Sequence, residues 1–160
     1  MKASSRSRNT PVTRRDDFFV DSKLQKTVKA EKEGKMKQEQ KTDVVSLFHH
    51  NVQSINNKLL ELKLILQTEL AEVDVLCLSE HWLWEEYIKL ISIDEFKLAS
   101  NFSRSKSSHG GSSIYVEHYT QTKEVNYLKG ISKEKDFEMT AVEIQECELI
   151  IVHVCLCVCV

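Results

Sequence analysis

The chain has 160 residues, of which 41% are apolar and 29% are charged, as in one soluble globular domain. The N-terminus lacks the apolar run of a signal peptide, and the longest apolar stretch, LIIVHVCLCVCV, has 12 residues. A membrane-spanning helix needs about 20 residues. Composition therefore predicts an intracellular protein without a membrane partner, and the odd count of 5 cysteines argues against a disulfide framework.

The first part of the chain differs in charge from the rest. Residues 1–42 hold 12 Lys and Arg against 6 Asp and Glu, so they are net positive, while the remainder is net negative. The segment lacks sustained apolar periodicity, which predicts a disordered basic tail before a domain over 43–160. Two interpretations stay open for this tail: a solvated segment, or a sequence-independent electrostatic contact with nucleic acid.

The domain is predicted to begin with a strand, a helix and a strand. VVSLFHHN at 44–51 is apolar and β-branched, which favours a strand. Residues 54–70 carry apolar side chains at steps of three and four, as on one face of an amphipathic helix. VDVLCLSE at 73–80 predicts a second, buried strand. Strand, helix and strand over about 35 residues is the layout of a βαβ unit with parallel strands.

The remaining elements are predicted to be mostly strands. WLWEEYIKLISI at 82–93 fits either a short amphipathic helix or an irregular connection. FKLASNFSRS at 96–105 predicts a strand that runs into a polar loop, and further strands are predicted at 114–118, 123–128, 137–145 and 149–158. The turn QECE joins the last two as a hairpin. The predicted fold class is therefore α/β, a βαβ start followed by a β-meander.

Two polar residues stand at the ends of the first two predicted strands. Asn51 ends the first strand and Glu80 ends the second. In parallel sheets, functional groups cluster beyond the carboxyl ends of strands, which places both residues at the rim of a cleft. The alternatives are ordinary ones: a solvated carboxylate after a strand, and an asparagine in a turn or cap before a helix.

Four segments together resemble a known family. They are HHNVQSINNKLLEL, DVLCLSEHWL, SRSKSSHGGSSIYV and FEMTAVEI. In this order they resemble the N-terminal part of the endonuclease/exonuclease/phosphatase family, closest to the apurinic-type endonuclease domain of non-LTR retrotransposons. The resemblance covers residues 44–152. It implies about half of that family's α/β sandwich, with two sheets packed face to face.

The resemblance implies Mg²⁺-dependent (or Mn²⁺-dependent) hydrolysis of phosphodiester bonds in DNA. Glu80 resembles the metal-binding carboxylate of the family, and Asn51 resembles the residue that orients the phosphate or supports the metal shell. Arg104, before the Gly-Gly turn, is expected either to neutralise a phosphate or to be a surface loop charge. His81 matches no catalytic position. A nuclear location is expected if the parent element's function is retained.

The resemblance also implies that part of the catalytic set is missing. The family places an Asp-x-Asn stretch and an Asp-His pair in a second half, and this chain ends before either. General-base help is worth roughly 10²–10⁴-fold, so little or no activity is expected from the chain alone. Two alternatives stay open: a non-catalytic module that binds nucleic acid or protein, and an enzyme completed by another chain.

Overall fold

A computed structural model describes residues 44–107 and 109–156 of the chain. The predicted basic tail at 1–42 and Asp43 lie outside the described residues, as do residues 157–160. The predictions made for those segments therefore stay predictions.

The described residues form seven strands and three helices. The strands are β1 (Leu47–Asn51), β2 (Val75–Ser79), β3 (Phe96–Phe102), β4 (Ser112–Glu117), β5 (Thr122–Glu124), β6 (Phe137–Ile144) and β7 (Leu149–Leu156). The helices are α1 (Ile55–Thr68), α2 (Glu85–Ile88) and α3 (Asn126–Lys129). This architecture confirms the predicted α/β class. In the described ranges, no helix combines the length and the apolar composition that crossing a membrane would take.

The βαβ start is present as predicted. Strands β1 and β2 pair in parallel, with Asn51 opposite Ser79 at their carboxyl ends. Helix α1 connects them and buries Ile55, Leu62 and Leu66, which recur at the spacing of one helical face. That face packs on one side of the first sheet, where burial of apolar side chains is the main stabilising contribution.

The antiparallel strands of the second half divide between two sheets. Strands β3 and β4 form a hairpin that joins the first sheet, whose order is β1-β2-β4-β3. Strands β5, β6 and β7 form the second sheet in that order. The segment predicted as a strand at 123–128 is a strand only over its first residues, because helix α3 begins at Asn126.

The two sheets face each other across a layer that is apolar at one end and polar at the other. The apolar part is a cluster of Val75, Cys77, Ile114, Val116, Val142, Ile144 and Ile151. Because side chains alternate along a strand, the same faces continue into buried polar residues: Ser79, Ser112, Glu138, Thr140 and His153. The polar end lies at the carboxyl ends of β1 and β2. Buried polar groups there must be paired to be tolerated, so this end is where specific chemistry is expected.

Candidate functional site

The carboxyl ends of β1 and β2 are tied together by backbone hydrogen bonds. The Val52 N–H donates to the Ser79 carbonyl at 3.0 Å, and the Ser54 N–H donates to the Glu80 carbonyl at 2.9 Å. A third bond joins the first residue of α1, Ile55, to the His81 carbonyl at 3.2 Å. These bonds bring the two predicted site residues, Asn51 and Glu80, to adjacent strand ends.

The backbone around these strand ends is strained. Glu80 has φ 60° and Trp82 has φ 58°, while Gln53 and Ser54 before helix α1 have φ 40° and φ 85°. Non-glycine residues in this region cost roughly 1–2 kcal/mol each, since the Cβ crowds the backbone. Such conformations persist only where the surroundings over-determine them, and they concentrate at functional sites. Four of the seven non-glycine residues with positive φ among the described residues lie at the rim that the sequence indicated.

The Glu80 carboxylate is half-buried and is contacted from two sides. The Trp82 indole Nε1 donates to Oε2 at 2.7 Å, and the Cys155 thiol of β7 lies 3.9 Å from Oε1. The Trp82 ring in turn packs against His109, with ring centroids 4.4 Å apart. Glu80 therefore points toward the second sheet rather than into open solvent.

Asn51 is exposed at the end of β1. Its register beside Ser79 and its step of two from His49 and Leu47 place it on the face toward the second sheet. Its Oδ1 accepts the Gln53 N–H at 3.3 Å. The structure thus puts Asn51 and Glu80 on neighbouring strands, while their catalytic and metal-binding roles stay predictions.

A glycine pair holds the Glu80 backbone from the other side. The Glu80 N–H donates to the Gly111 carbonyl at 2.8 Å, and the Trp82 N–H donates to the Gly110 carbonyl at 2.9 Å. Both glycines have positive φ, 119° at Gly110 and 91° at Gly111. A Cβ at Gly111 would overlap the His81 imidazole, so only glycine allows this close approach.

Arg104 is buried and bound to a carboxylate from the second sheet. It is 9% exposed and forms an ion pair with Glu138, which is fully buried. The other Glu138 oxygen accepts the Gly111 N–H at 2.6 Å. The interpretation of Arg104 as a surface loop charge is therefore wrong. Its phosphate-binding role stays a prediction, and the geometry assigns the guanidinium a structural partner.

Glu138 is the site-supporting residue that sequence reasoning missed. It links Arg104 to the glycine turn, and that turn holds Glu80. The signal was available in FEMTAVEI, where Glu138 shares the inward alternation of Thr140 and Val142. A carboxylate at an inward position of a buried strand requires a cationic or hydrogen-bonding partner.

His81 is enclosed next to Glu80, and both of its ring nitrogens are used. Nε2 donates to the Phe102 carbonyl at 3.0 Å, and Nδ1 accepts the Leu83 N–H at 3.0 Å. Burial lowers the pKa of His81, against smaller opposing contributions that begin with the Phe102 backbone. A neutral imidazole with both nitrogens occupied by the backbone has no proton to exchange with a substrate.

The donor set at this rim fits a hydrated hard cation. Among the described residues, no group of three or more His, Cys, Asp or Glu is placed to enclose a metal ion. Mg²⁺ often takes only one or two protein carboxylates and keeps water or substrate phosphate in its other positions. Glu80 supplies one such carboxylate, and the Asn51 amide lies on the adjacent strand end.

The matches of this chain to known proteins come from solved structures. No protein-family model matches the chain, and no curated protein matches it. Among solved structures, the catalytic domain of Xenopus laevis APE2 matches with a TM-score of 0.40 and 15% sequence identity. The match covers 70% of this chain and 44% of that domain, so the chain spans less than half of its length.

Proposed function

We propose that this chain is the N-terminal half of a metal-dependent DNA endonuclease domain of the endonuclease/exonuclease/phosphatase type, derived from a retrotransposon. The proposal rests on the placement of Asn51 and Glu80 at adjacent ends of two parallel strands, with the Glu80 backbone in a left-handed conformation. That arrangement matches the two family motifs on which the resemblance rests. A nuclear location follows if the parent activity is retained.

In this proposal Glu80 would hold a Mg²⁺ ion and Asn51 would orient the phosphate. When bound, the ion supplies a Lewis acid that polarises a phosphate oxygen and stabilises the leaving oxygen. The chain's own contribution is orientation: Trp82 donates to one Glu80 oxygen, and the Gly110–Gly111 turn fixes the backbone. The other Glu80 oxygen, Oε1, lies 3.9 Å from the Cys155 thiol.

Activity of the chain alone is proposed to be weak. The attacking water needs a general base, and the histidine beside Glu80 is held neutral by burial with both nitrogens engaged. Loss of general-base help costs roughly 10²–10⁴-fold in rate. The proposed function is therefore a residual cation and phosphate site with slow or no turnover.

The first test is nicking of supercoiled plasmid DNA in Mg²⁺ by the wild-type chain and by Glu80→Gln. Glu86→Gln is the matched control, because Glu86 is an exposed glutamate of α2 close in sequence. Nicking that is lost in Glu80→Gln and kept in the control supports the proposal. Nicking that survives Glu80→Gln unchanged would refute it.

A second readout covers a chain that does not nick DNA. Binding of Mn²⁺ quenches the electron-paramagnetic-resonance signal of the free ion, so it can be followed without turnover. The wild type and Glu86→Gln should bind Mn²⁺ alike, and Glu80→Gln should bind it at least about tenfold more weakly, since the carboxylate proposed as the ligand is neutralised. Equal binding by all three chains would remove the metal role of Glu80.

The alternative of a non-catalytic binding module has a specific observation in its favour. The outward face of β7 exposes four apolar side chains: Ile150, Val152, Val154 and Leu156, at 50%, 44%, 42% and 70%. Contiguous apolar surface of this kind marks interaction sites. A chain that binds no Mn²⁺ but associates with DNA in a salt-sensitive way, lost on deletion of 1–42, would favour the binding module.

A further inference from the structure

A second pair of polar side chains lies near the Glu80 rim: His153 of β7, which is buried, and His49, which is exposed on the edge strand β1. His153 of β7 is 6% exposed, and neither of its ring nitrogens has a hydrogen-bond partner. Burial is the largest cause that lowers the pKa of His153, to about 3, while the Ser113 backbone opposes it. An imidazole without protein partners in the interior is costly, so both of its nitrogens are available to a ligand from outside the chain.

A second imidazole faces His153 from the first sheet. The rings of His49 and His153 have centroids 5.1 Å apart and planes at 65°. His49 Nε2 lies 3.3 Å from the Ser79 hydroxyl. Burial, followed by the charge of His50, lowers the pKa of His49 as well. Both rings are thus neutral near pH 7, which is the form that binds metals.

The separation of the rings is that of two ligands on one metal ion. A Zn²⁺–N bond is about 2.0–2.1 Å long, and the centre of an imidazole ring lies roughly 1.2 Å beyond the bound nitrogen. Two imidazoles bound to one tetrahedral ion therefore have ring centres about 5 Å apart. The observed separation of 5.1 Å agrees with this value. Metal-bound histidines also direct their second nitrogen to a neighbouring polar group, and the Ser79 hydroxyl is such a group for His49.

We propose that His49 and His153 form a binding site for a borderline transition-metal ion of the Zn²⁺ class, with water in the remaining coordination positions. Imidazole nitrogen favours such ions, whereas Mg²⁺ favours oxygen. The proposed site differs from the Glu80 rim in its ligands, because it uses two imidazoles, from β1 and β7, and no carboxylate. The proposal does not depend on the proposed nuclease function.

Two protein ligands imply an exchangeable ion rather than a structural zinc. The described residues offer no third His, Cys, Asp or Glu for a closed site at this position. Structural zinc sites use four protein ligands, and sites with fewer keep positions open to water or substrate. An ion held here would bridge the first and second sheets and stabilise their packing.

The test is Zn²⁺ and Co²⁺ titration of the full chain, with variants that remove one imidazole each. His49→Gln changes a residue of the outermost strand of the first sheet, so the fold should tolerate it. His153→Gln removes the buried ring, and His118→Gln is the matched control at an exposed position. We expect the wild type and His118→Gln to bind one ion per chain. His49→Gln and His153→Gln should each bind the ion at least tenfold more weakly.

The Co²⁺ spectrum separates this site from the cysteines. Imidazole ligation gives visible d–d bands alone, whereas thiolate ligation adds a charge-transfer band in the near ultraviolet. Three results would each overturn the proposal: equal affinities in all variants, no binding at all, or a thiolate spectrum that His49→Gln does not change. An ordered water would then be the partner of His153. If His153→Gln fails to fold by circular dichroism, His49→Gln decides the question.

Discussion

Replacement of Glu138 by glutamine tests whether a buried ion pair supports the Glu80 rim. Glu138 is fully buried, pairs with Arg104 and accepts the Gly111 N–H at 2.6 Å. Glutamine has nearly the same shape, but it carries no charge and has only one oxygen. The charged partner of Arg104 is therefore lost, and the donors that meet Glu138, which include the Gly111 N–H and the Lys135 N–H, share one acceptor oxygen instead of two.

The expected loss of stability is large for a conservative change. Breaking a buried ion pair by removing one partner costs about 3–5 kcal/mol, because the remaining charge is not compensated. Domains are stabilised by only about 5–15 kcal/mol in total, so roughly a fifth or more of the free energy of unfolding should be lost in Glu138→Gln. Changing Arg104→Gln at the same time should restore part of it, since no charge is then left buried.

The assay is urea denaturation followed by the fluorescence of Trp82 and Trp84. The control is Glu143→Gln, on the same strand but only partly buried and on the opposite face. We expect its midpoint to match that of the wild type and the midpoint of Glu138→Gln to be clearly lower. Equal midpoints for the two variants would refute the reasoning, since they would show that the buried pair adds nothing.

Two further predictions concern the packing around the site. Gly111→Ala should lower the free energy of unfolding by more than about 2 kcal/mol, because φ is +91° and the new Cβ meets the His81 ring. The control is Gly130→Ala, where the atom nearest to the new Cβ would lie 3.5 Å away, and it should change the free energy of unfolding little in the same denaturation assay. Burial raises the pKa of the Cys77 thiol to about 12, so at pH 8 iodoacetamide should modify Cys147 in the native protein and Cys77 only after unfolding. Peptide mass spectrometry checks this, and equal rates for the two thiols would contradict it.

The regular elements were predictable because their signal is local. The helix period over 54–70 and the apolar runs before Asn51 and Glu80 depend on which residues lie three, four or two positions apart. The parallel pairing of β1 and β2 followed, since a helix between two strands favours that arrangement. The segment at 123–128 was predicted less well, as it combines a three-residue strand with one turn of helix.

The candidate site was predictable in position but not in its contacts. Strand ends indicated Asn51 and Glu80, since a polar residue directly after an apolar run is visible in the sequence. The burial of Arg104 was not, because it depends on Glu138, which is 34 residues further along the chain and belongs to the other sheet. The interpretation of Arg104 as a surface charge was based on the sequence of its loop, which does not contain Glu138.

The sequence by itself determined the order of the strands and of helix α1, the α/β class and the two polar strand ends, because periodicity and strand termination are properties of neighbouring residues. Only the tertiary structure decided which strands share a sheet, which carboxylate meets Arg104 and which imidazole faces His49. Those contacts join residues far apart in the chain, and they form because buried charges and imidazoles must find partners wherever the packing of the two sheets brings them together.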